Sequence, residues 1–149
     1  MFAAKRALFT ALTALTATGQ PLEGVQVSYD WPGRGVARKC VYGGGIRVMQ
    51  DDAVAESGVM TYEKASIGLY VRVLEPGKAV VDSDTTAESI GEQIGGYFAA
   101  NPHLVGNLSV ARIRGLQADY AHPPDGANVA TAETIVAYQV EIQSFLSMV

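Results

Sequence analysis

The chain has 149 residues, a length at which one domain buries roughly 70% of the surface its unfolded chain exposes and carries a single independent core. Its residues are 48% hydrophobic and only 17% charged, and its one cysteine, Cys40, excludes an intrachain disulfide and any cluster of thiolate metal ligands. The formal net charge of −4 argues against general nucleic-acid binding, which depends chiefly on neutralising phosphates.

In chain order, Lys5 and Arg6 ahead of an alanine- and leucine-rich run imitate a secretory signal. Thr10, Thr13 and Thr16 interrupt that run, and Leu8, Leu12 and Leu15 recur at helical spacing, so an amphipathic helix over about 2–18 is expected instead, with Lys5 and the threonines pointing mostly away from its leucines. Gly19 ends it and Pro21 prevents its continuation. No apolar stretch approaches the ~20 residues needed to cross a bilayer, so a soluble protein assembled in the cytoplasm, without a membrane partner, is expected.

Val25–Tyr29 alternates apolar and polar residues and predicts a strand, followed by a turn over Asp30–Gly35. A short strand over 39–42 is broken by Gly43, Gly44 and Gly45 before 46–49 resumes, and the polar stretch 50–58 predicts a loop. Val59–Leu74 is the clearest element, a long strand with Ile67, Leu69, Val71 and Val73 on one face and Tyr70 and Arg72 on the other. Thr85-Thr86-Ala87-Glu88 fits a capping box, which starts a second helix near Asp84 or Thr85, with Ile90, Ile94 and Phe98 as its buried stripe and Asn101-Pro102 as its stop. Its glycines, Gly91, Gly95 and Gly96, each cost about 1 kcal/mol in a helix interior and imply a close approach to a sheet or a neighbouring subunit. A strand over 108–114, a loop or bent edge over 115–128 and a closing strand over 134–145 complete the chain. The expected order is α–β–β–β–β–α–β–β, an α+β fold with a mainly antiparallel, mixed sheet and both helices packed on one face, in one domain.

Assembled chemistry is missing from this pattern. His103 and His122 stand near no nucleophile motif and at no metal-ligand spacing, and read as surface residues. The glycine run lacks the Lys-Ser/Thr of a phosphate loop and reads as a bulge or kink. Asp82 and Asp84 suit a helix N-terminus better than acid–base work, and Asp51 with Asp52 lies in the expected loop. Catalytic, cofactor-binding and metal-binding residues are therefore all expected to be absent, and Cys40 to be a small strand hydrophobe. Charge is uneven along the chain: residues 1–47 hold six of the eleven basic groups against Glu23 and Asp30, so they carry +4 and the remainder −8. Such polarity allows head-to-tail stacking or ring closure, or else is plain scatter over a solvated surface.

The segment order resembles the tail terminator (tail completion) proteins of long-tailed phages, particularly those of actinobacteria. The resemblance is carried by the opening helix Ala3–Ala17, Gly24–Tyr29 followed by Trp31-Pro32-Gly33-Arg34, the strand Ser66–Glu75, the helix Thr85–Asn101 with Pro102, and the strand Thr134–Phe145. It implies a hexameric ring at the head-proximal end of the virion's tail that caps the tube, halts its polymerisation and joins the head. The partners it implies are the major tail tube protein and the head–tail connector or stopper, with DNA passing through the lumen without specific binding. Nothing in the family matches Gly43–Gly45 or the 50–58 segment. A stopper or tube subunit is the neighbouring alternative, and a small α+β ligand-binding module the alternative from another class. For subunit or tube contacts the candidates are Trp31, Arg34, Arg38, Asp51, Asp52 and His122, because Trp and Arg dominate binding hot spots. Trp31 is also placed to fold back as a lid on the end of its own sheet.

Overall fold

Leucine spacing does produce the opening helix. α1 spans Phe2–Ala14 and buries Leu8, Phe9 and Leu12. It ends earlier than its leucines suggest, because the chain then turns back on itself: Leu22 donates its N–H to the Leu15 carbonyl at 2.9 Å, and both leucines stay in the core. Gly19 makes that reversal possible with φ of 79°. One expectation for α1 is overturned, since Lys5 is only 6% exposed. Its stem runs under the helix and its ammonium donates to the Gly44 carbonyl at 2.9 Å, 4.2 Å from the Tyr29 ring centroid.

The computed structural model describes residues 2–55, 58–77, 79–106, 108–121 and 131–148. After α1 come β1 (Gln26–Ser28), β2 (Lys39–Ala55), β3 (Gly58–Pro76), α2 (Val80–Ala100), β4 (Leu108–Ala121) and β5 (Thr131–Met148). They form one α+β unit whose five-stranded sheet has the order β1-β2-β3-β5-β4. β1 runs parallel to β2 and every other pairing is antiparallel. Because β5 lies antiparallel to both β3 and β4, the connection from β3 through α2 to β4 passes over β5. Ile67, Leu69, Val71 and Val73 of β3, with Val140 and Ile142 of β5, meet α1 and the stripe Ala87, Ile90, Ile94 and Phe98 of α2 in one cluster. Both helices therefore cover the same face.

Four boundaries differ from the expectation, each for a physical reason. The segments 39–42 and 46–49 belong to a single strand, and the glycines shift its register between Gly43 and Ile46 without ending it. Gly43 is obligatory there, since a Cβ would stand 2.3 Å from the Tyr29 carbonyl and 2.7 Å from the Lys5 stem. The expected 50–58 loop is strand out to Ala55, and β3 begins at Gly58, with Asp51 paired to Tyr62 and Asp52 to Thr61; residues 56–57 lie outside the described residues. A strand needs backbone partners more than apolar side chains, and β3 supplies them. Likewise 115–121 continues β4 against β5, while 122–130, including His122, lie outside the described residues. α2, finally, starts at Val80. Asp82 accepts the Ala79 N–H at 3.3 Å, and the hydroxyls of Thr85 and Thr86 donate back to the Val81 and Asp82 carbonyls at 2.8 and 3.0 Å instead of capping.

Candidate interaction surface

The strand period that buries Ile67, Leu69, Val71 and Val73 sends Ser66, Tyr70 and Arg72 to the other side of the sheet, where no described helix packs. Register extends this open face across the strands. Cys40, Arg72 and Ile135 form one row, Tyr42, Tyr70 and Ala137 the next, and Arg47, Ser66, Glu141 and Arg112 a further one. Lys64 pairs with Gln143 beyond that row, and Arg114 with Gln139 before it.

The end of this face near β1 is an aromatic and ionic cluster. Trp31 stands edge-on to Tyr42 with ring centroids 4.9 Å apart, Tyr42 stacks on Tyr70 at 5.1 Å, and the Arg72 guanidinium lies 6.0 Å from the Trp31 ring. Arg72 donates to Glu133 at 2.7 Å, with both side chains largely covered. Cys40 is fully buried beneath. Burial pushes its thiol above the usual range and the Arg72 charge pulls the other way, so it is a poor nucleophile. Burial, followed by neighbouring Tyr70, raises the Tyr42 phenol as well.

Farther along the same face lies a cationic patch. Arg47, Lys64, Arg112 and Arg114 are exposed around Glu141, and a cleft of about 340 Å³ opens between Arg47, Lys64, Ser66, Glu141 and Gln143. Across the sheet, α2 carries Asp82, Asp84, Glu88 and Glu92 and no basic residue. Of these cations only Arg47 belongs to the +4 part of the chain; Lys64, Arg112 and Arg114 come from the part with net −8.

The candidate contact residues do not gather in one place. Trp31 folds back on Tyr42 yet remains 49% exposed, and Arg34 and Arg38 are exposed in the same segment leading into β2. Asp51 and Asp52 sit at the far end of β2, roughly 30 Å from Tyr42 at ~3.3 Å per residue. His103 is exposed, its Nδ1 3.0 Å from the Ser109 hydroxyl. The cationic patch escaped sequence reasoning although Arg112 and Arg114 alternate with Ile113, a period that signals one strand face; their assembly with Arg47 and Lys64 depends on the strand order.

A comparison with protein families finds no match, and a comparison with curated proteins finds none. Among solved structures, the chain is similar to one in the virion of a native gene transfer agent particle, with 14% identity over 94% of each chain and a TM-score of 0.46. That likeness is too distant to support a function, which has to be argued from the surface itself.

Proposed function

We propose that this chain is a structural virion protein of the tail terminator kind. Copies of it form a ring, of about six subunits, that caps the head-proximal end of a tail tube, stops its polymerisation and joins it to the head connector. In this reading it performs no catalysis, takes no metal or cofactor, contacts the major tail tube protein and the connector or stopper, and lets DNA pass without specific binding.

The supporting observation is the length of the sheet. β2, β3 and β5 run for 17, 19 and 18 residues, well past the about 3–10 usual in globular proteins, and β2 and β3 stay paired out to Ala55 and Gly58. β5 accompanies them as far as the pairing of Met148 with Met60. Strands of this length suit a subunit whose sheet reaches its neighbours in an assembly better than a compact monomeric ligand-binding module. The segment order of the tail terminators adds to this support.

Sedimentation and electron microscopy of the purified chain, alone and with tail tube protein, test the proposal. Rings of about six subunits in either condition are expected, and a phage lacking the gene should leave tail-less heads or overlong tubes. A strict monomer in both conditions would overturn it, and a melting temperature that rises with a small ligand would then favour the binding module.

A further inference from the structure

We propose that the exposed carboxylates of α2 in one copy dock on the cationic patch of the open sheet face, around Arg47, Lys64, Arg112 and Arg114, of the next copy. This deepens the ring reading and rests on it. The first ground is complementarity within one chain. Asp82, Glu88 and Glu92 are exposed on a helix without a single lysine or arginine, while Arg47, Lys64, Arg112 and Arg114 are exposed on the other side of the sheet, in and next to the row of Glu141.

Spacing agrees with charge. Glu88 and Glu92 are one helical turn apart, about 6 Å, and Arg112 and Arg114 are two strand residues apart, about 6.6 Å. Asp82 lies ~15 Å from Glu92 along the helix axis, and the three interstrand steps from Arg47 to Arg112 span ~14 Å. One helix laid across the patch therefore brings carboxylates to both sides of it. The acidic helix is also low in profile at its far end, because Gly95 and Gly96 have open space where a side chain would stand.

The topology makes the contact head-to-tail. Helix and patch lie on opposite faces of one sheet, so two copies cannot satisfy both surfaces by a two-fold pairing. Each docking leaves one helix and one patch unused, and only closure into a ring uses all of them. Contacts of this kind are screened as salt rises.

Charge reversal tests the contact. Glu88→Lys/Glu92→Lys and Arg112→Glu/Arg114→Glu should each weaken self-association about tenfold or more by sedimentation, with unchanged circular dichroism confirming that both variants fold. In an equimolar mixture the reversed helix of one meets the reversed patch of the other, so association should return, as it should in a chain carrying all four changes. Variants that associate like the wild type, or a mixture that stays dissociated, overturn this contact and leave the ring in place. A wild-type chain that stays monomeric by itself overturns the contact too. Only the further absence of rings with tube protein overturns the terminator reading.

Discussion

Tyr138 occupies the space in which a side chain at position 91 would stand. A Cβ on Gly91 would lie 2.1 Å from the Tyr138 hydroxyl, whereas one on Gly96 would meet nothing within 4 Å. Gly91→Ala should therefore cost ~1–3 kcal/mol by overpacking, despite the better helix propensity of alanine. Gly96→Ala should raise the stability of the isolated chain by about 0.5–1 kcal/mol. Denaturant unfolding of the two variants checks this, and equal effects would mean that Tyr138 does not sit against the helix. The same phenol predicts alkaline behaviour. Burial first, then the charges of Glu88 and Glu92, raise its pKa, so the folded chain holds this proton more tightly than the unfolded one. Its contribution to stability is complete below the unfolded value of about 10 and is lost as pH rises through the folded value. Unfolding free energy should fall as pH rises above the ordinary phenol value of about 10, and Tyr138→Phe should shallow that fall, with Tyr42 accounting for part of what remains.

Elements were legible to the extent that they bury a face. The stripe Ile90, Ile94 and Phe98 was evident from its spacing because one side of α2 meets the sheet. Ile94 is 1% exposed, and Ile94→Ala should cost about 2–5 kcal/mol in unfolding free energy as a large-to-small core change. A loss below about 1 kcal/mol would mean that the cavity collapses or the face is different. The β3 alternation was equally plain. By contrast the 50–55 and 115–121 stretches read as loops because their polar residues mark no buried face, yet antiparallel partners satisfy their backbones. The start of α2 was displaced for a related reason: threonine hydroxyls serve either as caps or as donors to the preceding turn, and local spacing does not distinguish the two.

For the whole molecule, Trp31 connects stability with assembly. Its ring packs on Tyr42 and about half of it remains in solvent. Trp31→Ala should lower stability by ~1 kcal/mol, the worth of one aromatic pair, leave the chain folded, and impair ring formation and tail completion. A variant that melts several degrees lower yet still assembles normal-length, head-joined tails would remove this segment from the contact. What the sequence determined by itself was the α+β class, both helices, the glycine bulge and the long β3, because hydrophobic period and local turn chemistry act over a few residues. Strand order, the inward Lys5, the full length of β2 and β3 and the gathering of Arg47, Lys64, Arg112 and Arg114 depend on the tertiary structure. Each depends on which distant segments pair: Arg47 and Lys64 share one face through the β2–β3 register, Arg112 joins them because β5 pairs with both β3 and β4, and a one-residue slip would turn a strand's side chains to the other side.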